Sequence, residues 1–280
     1  MVINTPAKIN FGLWIGEKQE DGYHTLSTIF IPITLYDTIS LMLCETPGIQ
    51  FECSSPNVPH NETNLCWKAA RLFQDEAGLH QGICITLEKN IPAGAGLGGG
   101  SSDAAAVLTG MNRLFSYPLT GTQLRTLAVQ LGADVPFFLN PVMSTAGGIG
   151  EILKPVSFPW QCPILLVIPA VKISTKTAYA ELDRSRTEKL ISIDYEMELA
   201  KLTSLADARS IIKNDFEPVL FSLYPELTEI KNHLYEHGSL YASLSGSGSA
   251  MYGMFKDEIT AKNALQSLKN TYWTAVVYPL

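Results

Sequence analysis

The stretch Ile91-Pro-Ala-Gly-Ala-Gly-Leu-Gly-Gly-Gly-Ser-Ser-Asp103 carries the densest chemical signal in the chain. Five of the seven positions from Gly94 to Gly100 are glycine, and Ser101, Ser102 and Asp103 lead into the helix formers Ala104 to Leu108. Glycine lets the backbone adopt φ > 0 and lets amides approach a ligand with no Cβ in the way. Serine and aspartate are N-cap residues, so a helix is expected to begin at 101–103 with its unpaired N–H groups and positive dipole end turned toward the glycines. A loop feeding a helix N-terminus binds anions, phosphate above all. The plain alternative is a flexible surface loop; the alternating strand Ile83, Ile85, Leu87 before it and the apolar helix after it argue against that.

Two phosphate-loop types fit poorly. A Walker loop needs a lysine after its second glycine, and none lies between Ile91 and Asn112. Gly94, Gly96 and Gly99 satisfy the dinucleotide fingerprint, but no acidic residue stands about 20 positions on, where a dehydrogenase needs one. Elsewhere, Gly132-Ala-Asp-Val-Pro136 sets Asp134 between a helix-ending glycine and a helix-starting proline, the ordinary place for a capping aspartate. Lys8 lies in an alternating strand, where a lysine is usually a solvated edge residue. Beside a carboxylate base, its ammonium would keep that carboxylate ionised and stabilise a forming alkoxide. Asp21-Gly-Tyr-His24 reads as an Asp-Gly turn, and Ser243-Leu-Ser-Gly-Ser-Gly-Ser249 as a tight turn between two strands. His233-Leu-Tyr-Glu-His237 matches an inverted zinc-protease pattern. A third ligand could come only from Asp257 or Glu258, and histidines in a last helical turn already suit the helix dipole, so no metal site is assigned.

Pro92 to Ser102 resembles, at every position, the loop Pro-x-x-x-Gly-Leu-Gly-x-Gly/Ser-Ser-Ser of the GHMP small-molecule kinases. Pro6-Ala-Lys-Ile-Asn10, Leu131 to Phe137, Asn214-Asp-Phe-Glu217 and Ser243 to Ser249 resemble further motifs of that family, so the likeness runs from Pro6 to Phe255. Asp21-Gly-Tyr-His24 and Tyr179 are similar to the branch that phosphorylates a cytidine-diphosphate sugar alcohol on the non-mevalonate route to isoprenoid precursors. Departures are Ala93 where methionine is frequent, Asp103 where asparagine is common, and Tyr179 where close relatives carry phenylalanine.

The resemblance implies an α+β, two-domain GHMP-kinase-like fold. Its parts would be a ribosomal-protein-S5-like ATP-binding domain over residues 1–155 and a ferredoxin-like substrate domain over 156–280. It implies transfer of the ATP γ-phosphoryl group to the substrate's 2-hydroxyl, with Lys8 and Asp134 catalytic. ATP would be held by Asn64, Lys89, Pro92, Ala93, Gly94, Ala95, Gly96, Leu97, Gly98, Gly99, Gly100, Ser101 and Ser102. The substrate would be held by Asn10, Tyr23, His24, Thr175, Tyr179, Gly246 and Ser247, its cytosine lying between Tyr23 or His24 and Tyr179. Mg²⁺ is expected with ATP, with no protein ligand named. Another GHMP kinase, acting on a mevalonate-type alcohol, and a catalytically silent ATP-binding protein are the competing readings.

Whole-chain properties agree. At 280 residues with 46% hydrophobic content the chain is globular and long enough for one large domain or two ordinary ones. No apolar run of about 18 residues and no signal-peptide start are present, so a cytoplasmic protein with no membrane partner is expected. A net charge of −7 without a basic cluster argues against nucleic acid. The five cysteines are scattered and read as reduced thiols. The oligomeric state is not legible.

Periodicity predicts a strand over 8–15, then an early β meander through Ile39 to Leu43 and Ile49 to Cys53. A helix capped by Asn64 and closed by Gly78 follows, then helices over 124–131 and from Pro136, and a strand pair within 144–153. Further on come a strand at 164–168, helices near 174–182, 195–202 and 225–237, strands at 241–244 and 250–255, a helix at 258–268 and a last strand at 274–278. Strand, helix, strand, strand, helix, strand reads as ferredoxin-like.

Overall fold

A computed structural model describes residues 1–20, 22–186 and 193–280; Asp21, named above in the Asp-Gly turn, lies outside them. The chain forms two compact units that interleave in sequence. One comprises Met1–Ala7, Leu35–Ala93 and Gly98–Pro141; the other comprises Lys8–Thr34, Gly94–Leu97 and Val142–Leu280. Two long, mutually paired strands, β1 (Val2–Lys18) and β2 (His24–Cys44), run through both.

In the first unit, β3 (Ile49–Cys53) leads through α1 (Leu65–Ala77) to β4 (Gly82–Glu88). β4 pairs antiparallel with the end of β2, Thr38 opposite Glu88, and parallel with β3, Ile49 opposite Ile83. The expected meander is therefore replaced by a crossover, because β4 and not β3 takes the place beside β2. Parallel neighbours need a long connection, and α1 supplies it. α1 begins at Asn64, whose side chain accepts from Cys66 N–H, and stops at Gly78 in the left-handed region, both as expected. Its apolar stripe, Ala69, Ala70 and Phe73, packs on α2 (Gly99–Leu114). α3 (Gly121–Leu131) starts three residues earlier than its apolar pattern indicates, because Thr120 and Gln123 form a capping box. α4 (Val135–Phe138) is one turn long.

In the second unit, the start of β2 pairs with β5 (Ser144–Gly147), and β5 pairs with β6 (Ile152–Pro155). After β7 (Ile164–Ile168) come α5 (Thr175–Ser185), α6 (Tyr195–Ala200), α7 (Ala208–Ile211), α8 (Glu217–Leu223) and α9 (Pro225–Glu236). Then follow β8 (Ser239–Leu244), β9 (Met251–Phe255), α10 (Glu258–Leu268) and β10 (Trp273–Val277). The last four strands form an antiparallel sheet in the order β10-β7-β9-β8, with α9 and α10 packed on it, the ferredoxin-like arrangement expected from the sequence. Its core joins Leu165 and Val167 to Leu227, Ile230 and Leu234 of α9 and Ala261, Ala264 and Leu268 of α10. All five cysteines are free thiols, and among the described residues no helix is long and apolar enough to cross a membrane.

Candidate active site

In the first unit the glycine loop ends as α2 begins. The N-cap is Gly98 at φ 72°, and no side chain caps the helix. Ser101, Ser102 and Asp103, the expected caps, lie inside α2, and Ser102 N–H already donates to Gly98 O at 2.9 Å. A left-handed cap suits glycine, which does not pay the Cβ penalty there and so outcompetes the hydroxyl residues. With no side-chain cap among the described residues, the first-turn N–H groups can face an anion.

Asp103 has a different role from capping. It is 1% exposed and accepts from Thr5 Oγ1 at 2.8 Å and from Lys89 Nζ at 3.1 Å. Lys89 also donates to Asp37 on β2. Burial pushes the Asp103 carboxyl up to about 7 against the pull of Lys89. Burial alone would lower the Lys89 ammonium, but the two carboxylates outweigh it and raise it. Lys89, expected among the ATP contacts, thus spends its side chain on a buried ion cluster. Asn64, also expected there, caps α1 with Oδ1 and donates from Nδ2 to Pro59 O at 2.9 Å. Asp134 immediately precedes α4, yet its carboxylate makes no capping bond. A single turn with a proline in it offers few N–H groups to cap.

In the second unit the start of the loop is held by backbone. Ala250 N–H donates to Ala95 O and Ser245 Oγ to Gly96 O, both at 3.0 Å, while Lys8 N–H donates to Leu97 O at 2.9 Å. Gly96 has φ +80°, and a Cβ placed on it would stand 2.2 Å from Ser245 O. The two glycine turns, 94–97 and 245–248, thus approach each other more closely than any side chain allows. Asn214 fixes the second turn by donating to Leu244 O and Gly246 O, both at 2.9 Å, and Glu217 accepts from Ser243 Oγ and Leu244 N–H. Ser247 Oγ meets Thr175 Oγ1 of α5 at 3.1 Å. Beside these turns, Lys8 is 3% exposed rather than a solvated edge residue. Its ammonium donates to Asn10 Oδ1 at 2.6 Å and lies 4.8 Å from the centre of the Phe30 ring. Asn10 is oriented in turn by its Nδ2 donating to Thr28 Oγ1 at 3.0 Å.

The aromatic group needs a correction. His24 and Tyr179 stack on each other at 4.9 Å and 25°, whereas a base between two rings needs two van der Waals gaps of about 3.5 Å each. His24 therefore cannot be the sandwich partner of Tyr179 in this arrangement. Its Nε2 is engaged with Asp183 Oδ1 at 2.8 Å. Tyr179 also packs edge-on against Phe216 at 5.0 Å, while Tyr23 is 58% exposed. Asp183 went unpredicted, although Tyr179 and Asp183 share one face of α5 at i, i+4. Asp37 and Thr5 gave no sequence signal at all. The His233 and His237 rings stack, with partners Ser267 Oγ and His233 O, as a structural helix end.

Comparison with known proteins decides the family. The models for the GHMP kinases N terminal domain and the GHMP kinases C terminal domain match residues 64–140 and 197–273. The 4-diphosphocytidyl-2-C-methyl-D-erythritol kinase of Chlorobium chlorochromatii (strain CaD3) is 44% identical over 271 residues, covering 96% of this chain and 93% of that protein. The chain belongs to the 4-diphosphocytidyl-2-C-methyl-D-erythritol kinase family. A crystal structure of a 4-(cytidine 5'-diphospho)-2C-methyl-D-erythritol kinase covers the whole of both chains at 35% identity with a TM-score of 0.86. A homoserine kinase from Cytophaga hutchinsonii, 19% identical with a TM-score of 0.75 and covering 100% of this chain and 94% of its own, shares the fold. ATP is the phosphoryl donor of the GHMP kinases to which this family belongs.

Proposed function

We propose that the chain transfers the γ-phosphoryl group of ATP to the 2-hydroxyl of 4-diphosphocytidyl-2-C-methyl-D-erythritol, giving the 2-phosphate and ADP. The observation that carries this reading is the glycine turn at Gly96, closed onto Ser245 so tightly that only backbone can line it, beside the buried ammonium of Lys8. A cradle of amides and a fixed cation are what phosphoryl transfer asks of a protein, since the chemistry is mostly positioning and charge stabilisation.

In this proposal the amides of 94–102 hold the nucleotide's phosphates. Asp134 takes the proton of the 2-hydroxyl as its oxygen bonds to the γ-phosphorus; the bond from that phosphorus to the β–γ bridging oxygen breaks, and ADP leaves. Asp134 is assigned as base on the likeness of Leu131 to Phe137 to the family's motif, a carboxylate being able to accept that proton. Lys8, oriented by Asn10, offsets the charge that develops on the attacking oxygen. Mg²⁺ would neutralise the phosphates; it takes most of its octahedral shell from phosphate oxygens and water, so it does not require a dedicated protein cage. Tyr23, Thr175, Tyr179, Gly246 and Ser247 are assigned to the substrate, with Tyr23 taking the role of stacking partner. The proposal includes the division of labour between residues 1–155 and 156–280, a small-molecule partner and a cytoplasmic location.

The test is ADP release with ATP and magnesium against a panel of alcohols: the diphosphocytidyl substrate, mevalonate, homoserine and simple sugar alcohols. Turnover with the first alone is expected. Preference for mevalonate would transfer the chain to another GHMP activity, and silence with every alcohol would favour a binding protein.

A further inference from the structure

The buried cluster of Thr5, Asp37, Lys89 and Asp103 takes no part in the chemistry above, yet its connections are directional. Asp37 Oδ1 accepts the backbone N–H groups of Asn90 at 2.6 Å and Ile91 at 2.7 Å, and its Oδ2 accepts the Lys89 ammonium. The same ammonium donates to Asp103 Oδ2 at 3.1 Å, and Asp103 Oδ1 accepts from Thr5 Oγ1 at 2.8 Å. Ile91 is the last residue before Pro92 opens the glycine loop, and Asp103 lies in α2 just after the loop ends. One cation therefore ties the chain on both sides of residues 92–102. It also sits directly under the helix start, since a Cβ on Gly99 would come 2.8 Å from Lys89 Nζ.

We propose that Lys89 is a positioning residue that bridges Asp37 and Asp103 and thereby sets how the N-terminal turn of α2 is presented at the end of β4, aiming its amides at the nucleotide phosphates. This rests on the ATP-binding reading above. The groups that bear on Asp103 are Lys89, Asp37 and Thr5, with the Cys66 thiol of α1 also close enough to interact; Cys53 of β3 in turn bears on Cys66. Burial holds the Cys66 thiol far above its ordinary value, so it stays neutral. Of these groups only Lys89 is cationic. Without it, two buried carboxylates would face each other unpaired, and they separate, take up protons or draw in water, each of which shifts α2 against the end of β4. Such supporting contacts around a binding group commonly carry large effects although they touch no ligand.

The experiment compares the full-length parent with Lys89→Met and Lys89→Arg, reading amide hydrogen exchange at residues 98–103 without ligand, ATP affinity by calorimetry, and the Michaelis constants for both substrates. Lys89→Met is expected to speed exchange at 98–103 and to weaken ATP binding by about tenfold or more. The KM for the alcohol should stay within about twofold, because uniform nucleotide binding is what is lost. Lys89→Arg, which keeps the charge and can reach both carboxylates, should recover most of the ATP affinity. Parent-like exchange at 98–103 in Lys89→Met would overturn the tie. Faster exchange with unchanged ATP affinity would overturn its role in aiming the amides. A parent that binds no ATP would instead sink the nucleotide reading, while the exchange result still decides the tie. If Lys89→Met does not fold, the isosteric Asp37→Asn, which turns an amide donor or a neutral oxygen toward the ammonium, serves in its place with the same expected direction.

Discussion

Gly94 and Gly96 stand two residues apart in one loop, both with left-handed φ of +72° and +80°, but their surroundings differ completely. A Cβ on Gly94 would meet nothing within 4 Å, whereas a Cβ on Gly96 would stand 2.2 Å from Ser245 O and 3.1 Å from Gly248 O. Alanine at either position carries the left-handed penalty of about 1–2 kcal/mol. At Gly96 the carbonyl of Ser245 must also retreat by more than an ångström to reach an ordinary contact, and it is backbone that must move. That retreat breaks or stretches the bonds from Ser245 Oγ to Gly96 O and from Ala250 N–H to Ala95 O, each worth about 1 kcal/mol. Gly96→Ala should therefore cost about 3–4 kcal/mol against about 1–2 kcal/mol for Gly94→Ala. Denaturant unfolding of the two variants and the parent reads the difference directly. ATP affinity adds a second reading, since Gly96→Ala moves the cradle itself. Equal destabilisation of the two variants would show that the turns at 94–97 and 245–248 are not closed on each other as described.

Asp134→Asn should retain ATP binding and lose about 10²–10⁴-fold in turnover; a loss of less than threefold in a steady-state assay would remove Asp134 from the chemistry. Lys8→Ala should lower kcat more than it raises KM, because its charge acts on the developing alkoxide, and a change in KM alone would contradict that. Tyr23→Ala should raise the KM for the cytidine substrate by about 5- to 150-fold, the usual worth of one stacking ring, with the melting temperature unchanged; a parent-like KM would end the stacking role. Asp103 titrates near 7 in the folded chain, above its ordinary value of 3.8. Its contribution to stability is therefore present in acid and is lost as pH rises from about 4 through about 7. Chemical unfolding of the parent and Asp103→Asn across that window should show the variant gaining on the parent as pH rises, and a constant difference would refute the shift.

The parts of the fold written in local sequence were legible. Asn64 and Gly78 bound α1 as their residue types require, and α10 spans the expected residues because the helical spacing of Ala261, Ala264 and Leu268 follows a capping Asp257. The glycine loop was legible as a loop that feeds a helix, but its helix cap was misread. Gly98 fits a left-handed cap that Ser101 and Ser102 cannot reach at equal cost, and composition alone does not rank the two. What escaped was long-range pairing. Asp37, Lys89 and Asp103 are separated by 52 and 14 positions, and nothing in their neighbourhoods marks them as one cluster. The same holds for β3, whose alternation gives no hint that it pairs parallel to β4, and for His24, which meets Tyr179 and Asp183 across more than 150 residues.

Product analysis tests the proposed activity most directly. The parent is incubated with ATP, magnesium and 4-diphosphocytidyl-2-C-methyl-D-erythritol, and the product is examined by ³¹P and ¹³C magnetic resonance. A new phosphomonoester coupled to carbon 2, formed in step with ADP, is the expected result. Phosphate on another hydroxyl, or ADP released without any phosphorylated alcohol, would contradict it.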